Sequence, residues 1–201
     1  MGRPEELSRN PWRIMAITNL MNGLSAIHNH EDAITVGYAE LSMLERIGAS
    51  KKTILVTQSN LANSYQLLGR EAQALPLRRV IYTETLRLFG EEHRESLIEA
   101  NNYADCLQRL RRFEEVKTLL RKTIPVARRV VGERHIITLT LRKIYAETLY
   151  LNPAATLDDI REAVATLEEL EPTSRRLLGG AHPKTVAIQG SLRNARVMLR
   201  L

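Results

Sequence analysis

Hydrophobic residues recur along the chain at the spacing of an amphipathic helix. One series advances in steps of seven, four and three residues, which places its members on a single helix face: Ile54, Leu61, Tyr65 and Leu68. The pattern breaks at Gly69-Arg70, and a second series then runs up to Gly90: Leu75, Val80, Ile81, Leu86 and Phe89. A glycine at that point can adopt the left-handed conformation that ends a helix. The pattern therefore predicts a unit of helix, short turn, helix and loop.

This unit is repeated along the chain. Gly48, Gly90 and Gly132 lie 42 residues apart. The segment Leu88-Phe89-Gly90-Glu91-Glu92-His93 returns as Val130-Val131-Gly132-Glu133-Arg134-His135, and its histidine returns 47 residues later in Leu178-Gly179-Gly180-Ala181-His182. A fixed period in this range is typical of a chain built from stacked supersecondary units.

Superposing the units predicts an all-α chain of four helix pairs and a closing helix, in one array that spans residues 1–201. We place the pairs at about 12–48, 52–89, 94–131 and 136–178, and the closing helix at 184–200. The fourth unit is longer by five residues, and Pro153 assigns this insertion to a loop at 151–156. Thr156, with Asp158 and Asp159 after it, is expected to begin the next helix.

Small residues mark the positions where paired helices are expected to touch. One position on the first helices holds Ala62, Ala104 and Ala146, and one on the second helices holds Ala33, Ala74, Val116 and Ala163. In the closing helix, Arg193 takes the place of the small residue, so we expect no partner helix to pack there. That helix would be either a cap or the edge of a longer array.

These motifs resemble the tetratricopeptide repeat in the 42-residue form of the kinesin light chain family. The family's Gly-Glu-Asp-His-Pro linker is matched by the three segments above, of which the last ends in Pro183. Its first-helix and inter-helix motifs are matched by Asn60-Leu61-Ala62 with Tyr65, Asn102-Tyr103-Ala104, Gly69-Arg70-Glu71-Ala72-Gln73-Ala74 and Arg111-Arg112-Phe113-Glu114-Glu115-Val116. The resemblance covers about Trp12 to Leu199. It implies a right-handed α-α superhelix, a tetratricopeptide-repeat solenoid, that serves as a protein-interaction scaffold.

The resemblance also implies that the first helices line a concave groove that holds an extended or helical peptide of another protein. Polar side chains occupy two shared positions on that face: Asn19, Asn22, Asn60, Asn63, Asn102 and Asp105. An asparagine amide both donates and accepts, so this ladder could bond a peptide backbone, each bond being worth about 0.5–1.5 kcal/mol. Alternatively, these amides bond neighbouring helices or loops.

Basic residues near the end of the ladder could select the charge of the peptide. In the fourth unit Ile144 and Glu147 take the ladder positions, and Lys143 follows Arg142 beside them. Arg109 and Lys143 could hold an acidic side chain or a C-terminal carboxylate. An acidic peptide is therefore one form that the partner could take.

A second ladder lies just before the glycine of each unit: Arg46, Arg87, Arg129 and Arg176. It could form a track for anions. However, the helix dipole stabilises a cation at a helix C-terminus by about 0.3–1 kcal/mol. We therefore interpret these arginines as structural.

Composition changes this picture little. The chain has 29 Lys and Arg against 23 Asp and Glu, and eleven of the basic residues lie between Arg109 and Lys143. Nucleic acid is an alternative partner of that region, but aromatics are only 4% and no recognition module is visible. No apolar run approaches the ~18 residues that span a bilayer, and Cys106 has no second cysteine to pair with. We expect a cytoplasmic protein with no membrane partner.

The sequence carries no zinc-ligand spacing, no phosphate-binding loop and no Gly-x-Ser-x-Gly turn. We therefore expect no enzyme, and hence no catalytic residue, metal, cofactor or small-molecule substrate. One further hypothesis stays open, namely that the repeats form a structural spacer within a larger multidomain protein.

Overall fold

The computed structural model describes residues 11–26 and 29–200, without the side chains of residues 11–14, 17, 22, 25 and 26. The described residues form nine helices and no strand: α1 Pro11–Ala26, α2 His30–Arg46, α3 Lys51–Leu67, α4 Glu71–Phe89, α5 Arg94–Arg109, α6 Phe113–Val130, α7 Ile136–Leu151, α8 Leu157–Leu178 and α9 Pro183–Met198. The predicted all-α class is confirmed, and the predicted helix pairs begin and end within two residues of the observed ones.

The chain divides into two compact units, Met1–Glu84 and Thr85–Leu201, and the division falls within α4. In the first unit, α2 packs against α1 and α3. In the second unit, α6 packs against α5 and α7, and α8 packs against α7 and α9. The helices α5, α7 and α9 also contact one another in sequence, so they form one layer. That the repeats make one array over 1–201 stays a prediction.

The small residues are buried as expected. Ala62 in the first unit and Ala104 and Ala146 in the second are fully buried, as are Ala33, Ala74, Val116 and Ala163 on the second helices. Arg193, at the corresponding position of α9, is exposed. The predicted loop of the fourth unit is also confirmed, because α8 begins after Thr156, whose side chain forms a reciprocal capping box with Asp159.

Gly37 lets α2 pack closely between its neighbours in the first unit. A Cβ atom at this position would lie 2.5 Å from Leu61 Cδ2 on α3 and 2.8 Å from Met21 Sδ on α1. Met21 and Leu61 are themselves 1% and 0% exposed, so neither has open space into which it can move.

Replacing Gly37 with alanine is expected to lower the free energy of unfolding of the first unit by about 1–3 kcal/mol, because the added methyl group overpacks the core. The matched control is Gly23→Ala in α1, where an added Cβ meets no atom within 4 Å. That substitution should stabilise the helix by about 0.5–1 kcal/mol. Urea denaturation followed by circular dichroism measures both variants. Equal stabilities would contradict the close approach at Gly37.

The same helix carries a carboxyl group into the core. Glu40 is fully buried and forms hydrogen bonds with the hydroxyls of Thr18 on α1 and Thr57 on α3. Among the described residues, no donor reaches its Oε2 atom. Burial disfavours the charged carboxylate and raises the pKa of Glu40, and the two hydroxyls offset only part of this effect.

We predict that this carboxyl makes the stability of the first unit depend on pH. Because the folded-state pKa lies above the ordinary value of 4.5, the stabilisation is fully present below pH 4.5 and is lost as the pH rises through the raised pKa. Glu40→Gln keeps the group neutral, so the variant should lack this decline and be more stable than the wild type once Glu40 is ionised. Denaturation at a series of pH values measures the effect, and Glu45→Gln, at an exposed position of α2, is the control. A Glu40→Gln profile that runs parallel to the wild-type profile would exclude a raised pKa.

Candidate functional site

The linkers of the second unit position the helices that carry the candidate site. Gly90, Gly132 and Gly179 have φ of 83°, 96° and 89°, which only glycine adopts readily, and each ends a helix there. The hydroxyl of Ser96 donates to the carbonyl oxygen of Gly90 at 2.6 Å, and that of Thr138 donates to Gly132 at 2.8 Å. Each bond ties the first turn of one helix to the end of the previous helix.

The linker histidines are the N-caps of the helices that follow. The Nδ1 atom of His93 accepts from the backbone N–H of the second residue after it at 3.2 Å, His135 does the same at 3.2 Å, and His182 at 3.1 Å. The ring of His93 also stacks on Phe89, with 4.7 Å between centroids. Since each cap satisfies a backbone donor that has no partner within the helix, α5, α7 and α9 all begin in the same register.

Four residues at steps of four, three and four occupy one face of each first helix, and we call them the face positions. They hold Met15, Asn19, Asn22 and Ala26 on α1; Val56, Asn60, Asn63 and Leu67 on α3; Ile98, Asn102, Asp105 and Arg109 on α5; Thr140, Ile144, Glu147 and Leu151 on α7; and Ala187, Ser191, Asn194 and Met198 on α9. All of the predicted peptide-binding residues except Lys143 are among them.

The face positions of α3 are uncharged and open. The first and last of these positions, Val56 and Leu67, are 48% and 64% exposed. Between them, Asn60 is half-buried and Asn63 is exposed. On α1, Asn19 is exposed. Asn22 lies in the same helix, but its side chain is outside the described residues. The first unit thus carries a row of amides with apolar side chains on either side.

An arginine of α4 lies beneath this row. Arg78 is only 2% exposed, and its guanidinium donates to three side chains on one face of α3. Nη1 contacts Ser59 Oγ at 3.2 Å, Nε and Nη2 contact Gln66 Oε1 at 2.8 and 2.6 Å, and Nη2 also contacts Asn63 Oδ1. The alternative interpretation of the ladder therefore applies in part to Asn63, because one end of its amide bonds a neighbouring helix.

The sequence carries a signal that Arg78 is buried. This residue follows Ala74 by four residues and precedes Ile81 by three, which places it on the buried stripe of α4. A charged residue on such a stripe is expected to have hydrogen-bond partners in the core.

In the second unit the face positions carry charges that pair within their own helices. On α5, Asn102 donates to Glu99 at 3.3 Å, and Arg109 donates to Asp105 at 2.8 Å. On α7, Ile144 is only 3% exposed and is not accessible to a ligand. Arg109, one of the two cations predicted to select the charge of the peptide, therefore already has a carboxylate beside it.

The other predicted cation is paired as well. Lys143 lies 2.6 Å from Glu147 one turn further along α7, and Ser191 of α9 donates to the same carboxylate at 2.5 Å. Tyr150 is buried close by, where desolvation and the charge of Glu147 raise its pKa to about 12 despite hydrogen bonds with Ser191 and Asn194. The phenol therefore stays neutral at physiological pH. Sequence reasoning missed this polar cluster, because it joins residues of two helices.

Arg142 is buried and forms its ion pairs within the second unit. It pairs with Glu133 of the linker and with Glu169 of α8, the latter at 2.5 Å, and its side chain is 9% exposed. Like Arg78, it falls at helical spacing between buried residues, here Thr138 and Tyr145. Its role is to join α7 to the linker and to α8.

The second arginine ladder lies in the last turns of helices, as predicted. Its four members are exposed: Arg46, Arg87, Arg129 and Arg176. Arg129 pairs with Glu92 at 2.5 Å, and Arg176 donates to the carbonyl oxygen of Pro172 at 3.2 Å. These contacts agree with a structural role, and a role in ligand binding stays untested.

The basic helix α6 is interleaved with carboxylates rather than presenting a uniform positive surface. Ion pairs join Lys117 to Glu114, Arg128 to Glu133 and Arg129 to Glu92. The adjacent turn pairs Arg112 with Glu115. Phosphate groups of a nucleic acid would have to compete with each of these carboxylates, so the ion pairs disfavour nucleic acid as a partner.

A cleft of about 680 Å³ lies between α8 and α9, and Arg193 is among its lining residues. Glu171 in the cleft accepts from Gln189 at 2.9 Å and from Arg175 at 2.6 Å. These two bonds lower the pKa of Glu171. Several polar groups of the cleft thus bond one another.

The described residues bring no three metal-ligating side chains together, and Cys106 is buried. None of the described helices has both the length and the hydrophobicity that crossing a bilayer requires.

Comparison with known proteins agrees with this geometry. Residues 54–95 match the family model of the tetratricopeptide repeat. The fold is similar to the nearly identical TPR-like repeats of a putative kinesin light chain from Podosopora anserina, with a TM-score of 0.74, 19% identity, and coverage of 94% of this chain and 88% of that one. A single-substitution form of that protein has a TM-score of 0.76 and 19% identity, and the match covers 94% of this chain and 87% of that one. BtubC (BKLC) from P. vanneervenii gives a TM-score of 0.69 and 16% identity, and covers 98% of this chain and 84% of that one.

The chain therefore contains a tetratricopeptide repeat and has the solenoid fold of kinesin light chain-like repeat proteins, which confirms the resemblance read from its linkers. No curated protein matches the sequence. Repeats of this fold commonly mediate protein–protein interactions and are typically non-catalytic.

The linker caps can be tested at α7. His135→Ala removes the acceptor at the helix N-terminus and should lower the free energy of unfolding of the second unit by about 1 kcal/mol. His135→Asn retains an N-cap acceptor and should cost much less. Urea denaturation of both variants and the wild type gives the comparison. Equal losses in the two variants would mean that packing of the ring, and not the cap, holds the linker.

Proposed function

We propose that this protein is an interaction scaffold whose first helices bind an extended peptide segment of a partner protein. The observation that carries the proposal is the uncharged, open row of face positions on α3, where Asn60 and Asn63 stand between the exposed side chains of Val56 and Leu67. A surface that offers amides between apolar side chains suits a ligand with an unpaired backbone and apolar side chains of its own.

In this proposal the asparagines bond the peptide backbone, and the apolar face positions contact its side chains. Each hydrogen bond contributes about 0.5–1.5 kcal/mol net. A few such bonds, together with apolar contacts, correspond to binding of roughly micromolar strength. In the second unit, Asn102 and Asp105 on α5 would make the equivalent contacts, and Asn19 and Asn22 would do so on α1.

Selection of acidic peptides by Arg109 and Lys143 is the finer part of the proposal. Both cations already contact a carboxylate of their own helix, Asp105 and Glu147 respectively. A ligand carboxylate would have to share or displace that partner, so the preference for acidic over neutral peptides should be modest. A cytoplasmic location also belongs to this proposal, and the single, buried Cys106 agrees with it.

The test is a pair of double variants. Peptides are selected on the full chain from a random display library, and their affinities are measured by fluorescence anisotropy. Asn60→Ala with Asn102→Ala should weaken binding about tenfold or more, because the hydrogen bonds to the ligand backbone are lost. Arg87→Ala with Arg129→Ala, at the second arginine ladder, should leave the affinity unchanged. If only the arginine variant loses binding, the proposed face is wrong.

A further inference from the structure

The buried Arg78 fixes the orientation of the Asn63 amide on the face of α3. An exposed asparagine can present either its oxygen or its –NH2 group to a ligand, because rotation about its terminal bond exchanges the two. A guanidinium carries five N–H donors and no acceptor. Only an amide oxygen can therefore face it, and Arg78 Nη2 donates to Asn63 Oδ1.

The arginine itself is held firmly. Its side chain is almost fully buried, and it also donates to Ser59 and, through two nitrogen atoms, to Gln66. Turning the Asn63 amide over would place its –NH2 group against the buried guanidinium, with donor facing donor. Hydrogen bonds to charged groups are among the stronger ones, so the inward position of the oxygen is favoured. The outward end of Asn63 is then the –NH2 group.

We infer that Arg78 is a positioning residue that turns Asn63 into a fixed hydrogen-bond donor, so that α3 selects hydrogen-bond acceptors on the ligand. The inference rests on the proposed function, since it names the kind of ligand group that the face of α3 binds. The ligand group is an oxygen acceptor, either a main-chain carbonyl or an acidic side chain.

On α5 and α7 the equivalent face position has the opposite polarity. It holds Asp105 on α5 and Glu147 on α7, and both are acceptors when ionised. Arg109 and Lys143 contact these two carboxylates. At this register position α3 therefore differs in hydrogen-bonding chemistry from α5 and α7, and the fixed donor belongs to α3.

Asn63→Asp tests the inference, because it changes one end of the side chain only. The carboxylate keeps an oxygen on Arg78 and strengthens that contact, while the exposed donor becomes an acceptor. We expect the melting temperature to stay the same or rise, and the affinity for a library-selected peptide to fall about tenfold or more. The matched control is Gln73→Glu, which introduces the same charge at an exposed position of α4. Binding by Asn63→Asp that equals the control would overturn the inference.

A second measurement addresses Arg78 directly. If Arg78 acts through Asn63, then Arg78→Met should lower the affinity by less than Asn63→Ala does and should cause no further loss in the Asn63→Ala background, whereas independent contributions would multiply. Multiplied losses overturn the positioning role. If Arg78→Met does not fold, the Asn63→Asp result decides alone, since that variant retains the arginine contact.

The source of the acceptor is identified with a second form of the selected peptide, in which every acidic side chain is replaced by its amide. An equal loss of affinity by Asn63→Asp for both peptides assigns the acceptor to the main chain, and a loss only for the acidic peptide assigns it to a carboxylate. Failure of the proposed function has a different signature. In that case no selected peptide responds to Asn60→Ala with Asn102→Ala, whereas a response there without one to Asn63→Asp rejects only the donor assignment.

Discussion

In the second unit, the bond between a hydroxyl and a glycine carbonyl fixes the rotational register of the following helix. Ser96 and Thr138 hold the first turns of α5 and α7 against the left-handed glycines Gly90 and Gly132. Capping by His93 and His135 then fixes where each helix begins. Given the start of a helix and its 3.6-residue turn, every later side chain has a set direction. Residues such as Asn102 and Ile144 therefore occupy the same register position on α5 and α7.

Because the linker fixes where each helix begins, the fold does not depend on which side chains occupy the face positions. Side chains of different kinds can stand at a face position without disturbing the linker, and the chain uses this freedom. The third face position holds Asn63 on α3, Asp105 on α5 and Glu147 on α7, which differ in charge and in hydrogen-bonding capacity. The core positions vary much less, since Ala62, Ala104 and Ala146 are all fully buried where paired helices meet. Binding properties on a fold of this kind reside in individual side chains and not in the fold itself.

The sequence alone predicts the helices well, because the signals that bound them are local. The linker motifs, the small residues and the Thr156 cap each depend on neighbours within a few positions, and the structure confirms them. That the predicted face binds a peptide stays a prediction. What the sequence does not yield is the state of each side chain on that face.

That state depends on residues from other helices or on choices of rotamer. Arg78 reaches Asn63 from α4, and Ser191 reaches Glu147 from α9. The pairing of Arg109 with Asp105 is local and could have been expected from the spacing of four, but the competing interpretation as a free cation has the same sequence signature. Periodicity identifies which residues lie on a face, whereas their hydrogen-bonding polarity depends on side chains of the helices packed against that face.

Each linker closes over a very short stretch of chain. Its bonds join residues only two and six positions apart, so little chain entropy is lost when they form. Contacts of such low sequence separation can form early in folding and independently of one another. The five additional residues of the fourth repeat illustrate the consequence, because His182 caps α9 in the same way as His93 caps α5. A repeat of this design can therefore lengthen in its inter-helix turn during evolution, and the helices beyond it still fold in register.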